Sequence, residues 1–424
     1  MMVLAAVLWL GTSWTDDLLT KSGALPSRWL YSDDRASVRS LLLTIAASTV
    51  GIVGVVFSIM MVPLTIAASQ FGPRLLRNFL RDTGTQITLG TFTATFLFCM
   101  LVILQLREEP TQLLPQVSVS TGLLLGVMSF AMLIYFVNHI AISIQASVVV
   151  AEVSEELHQA IDHELPALPS TKMLFAQEQA LPEEPSYKAS TPHTVFAKES
   201  GYVQVRDDKG LLGFAQEQEL LVQLLRQPGD FVAAYTPLAL VWPKQAIPAN
   251  VEDVINDAYL LGVQRTLVQD VTFGINSLVE VAVRALSPAI NDPFTAMTCL
   301  DRLGAALCKL CSRSFPSAKL YDEHHCLRLI TEPITFTSLA DAAFTPIRDY
   351  GRSSTMVLLR LLDTLAMVVP CIRTEEQRRV LLHHAGLVER SAQTGLPDLA
   401  DRQAVTERFH KVVGMLEARV KKEV

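Results

Sequence analysis

The chain has 424 residues, a net charge of −7, 18% charged and 50% apolar side chains, and a mean hydropathy of +0.33. An average soluble domain carries about 25% charged residues, so this composition excludes an ordinary soluble protein. The mild acidic balance, with no basic run, excludes a nucleic-acid-binding role.

The apolar excess is concentrated in the first third. Met1 to Trp14 is uncharged but short. It fits a signal-peptide core, a shortened first helix or a late start site. No Lys or Arg precedes Asp16, so the basic n-region of a signal peptide is missing and a genuine, shortened span is expected. No Asp, Glu, Lys or Arg lies between Arg39 and Arg74, between Asp82 and Arg107, or between Glu109 and Glu152. A helix needs about 20 apolar residues to cross a bilayer core of about 30 Å. Each stretch is long enough. The reading is an α-helical membrane block over residues 1–150, with about four transmembrane helices at 1–15, 38–68, 86–106 and 119–149.

Orientation follows the Lys/Arg bias of short loops. The loop after span two holds Arg74, Arg77 and Arg81 against Asp82, whereas the next loop holds Arg107 with Glu108 and Glu109. The first loop is therefore expected inside and the second outside, with both termini in the cytoplasm. Lys21, Arg28 and Arg35, before span two, run against that bias. The three loop arginines read as topology determinants on lipid headgroups, or as an electropositive inner vestibule.

Span two contains Gly51, Gly54 and Pro63. The glycines share a face that lets another helix approach, and Pro63 should kink the helix. Gln70 follows, before Gly72-Pro73 ends the span. Span four holds Asn138, His139 and Gln145. Asn138 and Gln145 are seven apart and share a face; His139 points about 100° away from Asn138. Polar groups at this depth pair with other helices or line a water-filled path. Gln70, Asn138, His139 and Gln145 are thus candidate pore- or ligand-lining residues. Span four is expected to run on as a helix into the Glu-rich segment after Val150.

Residues 151–192 read as a helical extension and a Pro/Ser-rich linker. Residues 193–245 read as a small β unit. Val195 to Val205 alternates like a strand, a short helix covers Lys209 to Ala215, and Glu219 to Leu225 is a second strand. A turn at Pro228-Gly229-Asp230 leads to two strands between Phe231 and Val241. The pattern is similar to the half-motifs of biotinyl- or lipoyl-type barrels. Lys209 sits in a charged run, so no swinging-arm cofactor is expected. From Asn250 to the end the pattern is helical, including about 338–350, 353–369, 374–392 and 399–422. The fold class is thus a membrane helical block with a mixed α+β, mainly helical, C-terminal region. Ser287-Pro288 and Asp292-Pro293 each place a capping residue before proline, and Asp292 should cap a helix over 293–310. Ser287, Asn291 and Asp292 form either a capped corner or a ligand site. Asp292 would oppose an anion, so a cation or a hydrogen-bonded ligand would suit the second reading.

The strings SQFGPRLLRNFLRD and SPAINDPFTA resemble a bacterial predicted membrane protein family of unknown function, DUF 2254. Val263-Gln264-Arg265, Gln269-Asp270, Phe273-Gly274, Ala343-Phe344, Ile347-Arg348 and Tyr350-Gly351 extend the resemblance. It implies a plasma-membrane location and a cytoplasmic C-terminal domain, and no reaction.

No phosphate-loop, nucleophile-elbow, metalloprotease or dinucleotide motif is present. Cys308-Lys-Leu-Cys311 lacks a second ligand pair, and His324-His325-Cys326 diverges on a helix. No enzyme, metal or cofactor is expected. Two functions remain: an oligomeric channel or transport-type protein with a cytoplasmic regulatory domain, or a membrane-anchored scaffold or sensor in envelope maintenance without permeation. The expected partners are the bilayer and further copies of the chain, with no nucleic acid; no motif names a solute.

Overall fold

The computed structural model describes residues 1–22, 34–71, 82–106, 114–143, 145–168 and 191–421. Two compact units divide at Val148/Val149.

Among the described residues the N-terminal unit holds four helices: α1 Met2–Ser22, α2 Arg35–Phe71, α3 Thr83–Gln105 and α4 Gln116–Ser143. Three of them carry stretches long and apolar enough to cross a membrane: Arg35–Val62, Thr83–Gln105 and Gln116–Ser143. Only a helix satisfies all its backbone groups inside a lipid layer. The threonines of α3 satisfy themselves locally as well. Thr88, Thr91, Thr93 and Thr95 each donate to the carbonyl four residues back. One packing cluster joins Val38, Leu42 and Ala46 of α2 to Phe98 and Val102 of α3 and Val119 of α4. A second joins Val56, Phe92, Phe136 and Ile140. α2 continues through Pro63 to Phe71, directly before Gly72-Pro73. Gly51 and Gly54 face open space, with nothing within 4 Å of a β-carbon placed on either. The helix expected to approach them does not come from the described part of this chain.

Span four does not run on unbroken. α4 ends at Ser143 and α5, Ala146–Glu164, begins afresh. The backbone N–H of Gln145 still bonds Ile142, and that of Val148 bonds Gln145. The interruption precedes the polarity change after Val150, which falls inside α5.

The C-terminal unit begins with α5 and adds an α+β core. Its strands are β1 His193–Phe196, β2 Gly201–Arg206, β3 Leu220–Leu224, β4 Phe231–Val232, β5 Pro237–Pro243, β6 Tyr259–Gly262, β7 Lys319–Tyr321 and β8 Leu327–Ile330. They form a five-stranded sheet in the order β1-β5-β3-β8-β7 and a three-stranded sheet in the order β4-β2-β6. Pairing is antiparallel except β3 with β8, where Val222 lies opposite Leu329. Two short helices, α6 Asp208–Glu217 and α7 Val251–Asp257, close over the same core. Val195, Val222 and Val241 of one sheet meet Val203, Val232 and Tyr259 of the other, with Leu211 and Ile255 from the helices.

This corrects two expectations. The β unit does not end at residue 245, because β6, β7 and β8 come from the region read as continuously helical. The segment around Tyr259 is a strand because α7 stops at Asp257. Asn256 turns its side chain onto the Phe196 carbonyl, and Tyr259 then points inward while Leu260 points out.

The remaining helices are α8 Val271–Ala285, α9 Pro293–Leu310, α10 Phe336–Gly351, α11 Thr355–Val368, α12 Glu375–Gly395 and α13 Leu399–Lys421. Their apolar faces bury Ile275, Leu300, Leu339, Leu361 and Leu381. Capping boxes at Thr335/Ser338 and Thr374/Gln377 start α10 and α12.

Candidate functional site

The N-terminal unit carries polar ties at both ends and in the middle. At one end, Asp82 caps α3 by accepting the Thr85 N–H at 2.7 Å. Its other partner is His139 Nε2 of α4 at 2.9 Å. Tyr135 stacks on the imidazole, with ring centres 5.4 Å apart and planes 13° from parallel. Gly84 makes the approach possible, since a β-carbon there would lie 2.7 Å from His139 Nε2. In the middle, Thr95 and Ser129 share a buried hydrogen bond of 2.9 Å. At the far end, Asp16 of α1 accepts from the Val117 and Ser118 N–H groups at 2.8 and 3.0 Å and from the Ser118 hydroxyl at 2.6 Å. A carboxylate on the first turn of α4 meets the positive end of the helix dipole. Gln105 also donates to Ser13 at 3.0 Å.

Of the candidate pore- or ligand-lining residues, His139 acquires a side-chain partner on another helix among the described residues. Asn138 is exposed on the outward side of α4, Gln145 is exposed in the break between α4 and α5, and neither side chain makes a hydrogen bond among the described residues. Asn138 shares its face with Leu124, Val127 and Ile134; the shared face expected for Gln145 is lost because the helix ends at Ser143. Gln70 lies in the last turn of α2, its side chain outside the described residues; Arg74, Arg77 and Arg81 lie outside them altogether. Asp16 and Asp82 were missed. The signal for Asp82 was the Asp-Thr-Gly-Thr start of a helix, a capping pattern.

In the C-terminal unit the proline corner is built as a cap. Asp292 accepts the Phe294 and Thr295 N–H groups at 3.1 Å and the Thr295 hydroxyl at 2.5 Å. The Ser287 carbonyl accepts from Ile290 and Asn291, and Asn291 takes a positive φ of 50°, which Asn tolerates better than most residues. The Asp292 carboxylate is thus occupied by its own helix.

The Arg265, Gln269 and Asp270 group does converge. Asp270 caps α8 through the Phe273 N–H at 3.0 Å and pairs with Arg265 at 2.6 Å. Burial raises its carboxyl above the usual range, against the pull of Arg265. Gly229, at φ +95°, lets the Pro228–Asp230 turn lie on this pair, where a β-carbon would strike the carboxylate. Gln269 accepts from the Arg206 N–H at 2.8 Å and donates to its carbonyl at 3.3 Å, extending β2 with a side chain. Arg206 itself bonds Asp208 and the Arg226 carbonyl. These contacts fasten the small sheet to α8.

His384, on α12, was also missed. It is buried, 3.1 Å from Asp341 and edge-on to Phe344. Burial pushes its pKa down to about 4. Burial also pushes the Cys308 thiol up to about 12, with Cys371 beside it adding to the rise. No group of three metal-ligating side chains is placed to hold an ion among the described residues.

The model of the family described as "Predicted membrane protein (DUF2254)" matches residues 1–367. An uncharacterized protein of Mycobacterium tuberculosis (strain CDC 1551 / Oshkosh) is 31% identical over 391 residues, 91% of this chain and 74% of its own. An uncharacterized protein of Mycobacterium bovis (strain ATCC BAA-935 / AF2122/97) is 30% identical over 391 residues, with the same two shares of 91% and 74%. No solved structure matches the chain. The chain belongs to the DUF2254 family of predicted membrane proteins.

Proposed function

We propose that this DUF2254 protein is a multi-pass inner-membrane protein of the channel or transport type. It works as a homo-oligomer, with its C-terminal α+β region in the cytoplasm as the assembly and gating module. In this reading α1 is the fourth membrane helix. The observation that carries the proposal is the outward face of α4. Asn138 stands there among Leu124, Val127 and Ile134, with Gln145 exposed just beyond the end of the helix. An amide turned toward hydrocarbon is costly unless it meets water or another polar group. Inside one copy the helices close on Leu42, Phe98, Phe92 and Phe136, so the pathway belongs between copies, along this face.

The test is the mass of the nanodisc-solubilised particle, followed by flux in liposomes. A closed ring of three or more copies supports the proposal, as does loss of flux in the Asn138→Leu/Gln145→Leu double variant. A monomer, or unchanged flux in that variant, sinks it. The second reading is a membrane-anchored scaffold or sensor in envelope maintenance. The specific observation in its favour is the polar groups of the C-terminal region. Arg265, Gln269, Asp270 and Asp292 tie turns to helices, as expected of a rigid interaction module.

A further inference from the structure

We propose that the outward face of α2 binds an anionic phospholipid, with its phosphate at Arg39 and an acyl chain laid along the helix. A shallow cavity of about 480 Å³ opens there, lined by Ala36, Arg39, Ser40, Leu43, Thr44 and Ala47. These positions recur at helical spacing on one face, while Val38 and Leu42 turn into the core. Arg39 is exposed and makes no ion pair among the described residues. It stands about one turn inside the start of α2 at Arg35, where a long basic side chain reaches the interface while its stem lies on apolar surface. Its planar fork of donors matches phosphate oxygens two at a time, and the Ser40 hydroxyl is beside it.

Beyond Ala47 the same side of the helix continues into Gly51 and Gly54, which leave open space. Leu43 to Gly54 spans about 16 Å at 1.5 Å per residue. Half of a hydrocarbon core of about 30 Å is close to that length. A cation at the head of a smooth apolar track of one leaflet's depth is complementary to a lipid of negative headgroup. A second copy is a poorer occupant. Packed against its apolar helix, Arg39 would be a buried charge without a partner; packed face to face, two Arg39 side chains would meet.

The experiment uses the full chain in a neutral detergent. Phosphatidylglycerol or phosphatidylcholine is titrated in, and bound lipids are counted by native mass spectrometry. Phosphatidylglycerol is expected to bind about five-fold more tightly, the effect of one basic residue at an anionic surface. Arg39→Gln should remove the preference and Arg39→Lys should keep part of it; matching elution profiles show that each variant is folded. Ala47→Phe should lower binding of both lipids by blocking the track. Equal binding of the two lipids by the natural chain overturns the proposal. So does an undiminished preference in Arg39→Gln. A change of particle mass in Ala47→Phe with unchanged lipid counts also overturns it, and makes this face a contact between copies.

Discussion

α4 and α11 are built on opposite plans. In α11, Val357, Leu358, Leu361, Leu362 and Leu365 are buried. In α4 the buried positions include Ser118, Gly122 and Ser129, while Leu124, Val127, Phe130 and Ile134 face outward. The large apolar side chains of α11 are driven inward by water. No such drive separates a leucine from a lipid tail, so beside Val119, Phe136 and Ile140 α4 packs through small residues and hydrogen bonds such as Thr95–Ser129. The most direct way to break this comparison is to truncate one side chain of each kind. Leu361→Ala should cost about 2–5 kcal/mol, because it empties a closed core. Phe130→Ala should stay within about 0.5 kcal/mol, since its side chain is largely exposed. Thermal unfolding in nanodiscs, followed by hydrogen exchange of each helix, reads both. Equal losses would mean that the outward face of α4 is a packed interface.

Acid sharpens the contrast from the other side, because the C-terminal core contains a buried base. Burial holds His384 near a pKa of about 4, against about 6.5 in an unfolded chain. Asp341 at 3.1 Å pulls upward, while His383 and Arg348 push further down. The folded state therefore refuses a proton that the unfolded state accepts. Stability is full above pH 6.5 and is lost as pH falls from there toward 4, by up to about 3 kcal/mol at about 1.4 kcal/mol per unit. His384→Leu should flatten this slope in α12 while leaving the α3–α4 exchange rates as they were. An unchanged slope would place the acid sensitivity in another group.

These two regions also differed in how far the sequence disclosed them. Three of the four expected spans were legible because a charge-free run such as Arg39–Arg74 is a local property. The Asp292 cap was legible for the same reason: Asp before Pro is read within two residues. β8 was not, because Leu327–Ile330 is short and finds its partner at Val222, far away in the chain. β6 was hidden by the helix-forming residues just before it. In the candidate site, His139 was visible as a polar group in an apolar run. Asp82 was taken only as a charge in a loop, since nothing local reports a contact across 57 residues. Asn138 and Gln145 were expected to share a face seven residues apart, but α4 ends at Ser143 and Gln145 falls in the break, which no local pattern announced.

The smallest coupling expected between two side chains lies at the Asp82–His139 pair. Both side chains are about a quarter exposed, at 29% and 26%, so solvent screens their attraction and the coupling should be only about 0.5–1 kcal/mol. Single substitutions do not isolate it. Asp82→Asn removes the negative charge at the N-terminus of α3 as well as the pair, and His139→Gln removes the ring that Tyr135 stacks on. A double-mutant cycle of Asp82→Asn and His139→Gln cancels those private losses and leaves the mutual term. The coupling should shrink as salt rises, as expected for charges in contact with water. If it stays above 2 kcal/mol and does not change with salt, the pair is shielded in the assembled protein. Its surroundings would then be supplied by a neighbouring copy, and the outward face of α4 would have to be redrawn around it. A coupling of zero would instead leave Gly84, whose missing side chain makes room for the imidazole, as the feature that sets how closely α3 and α4 approach.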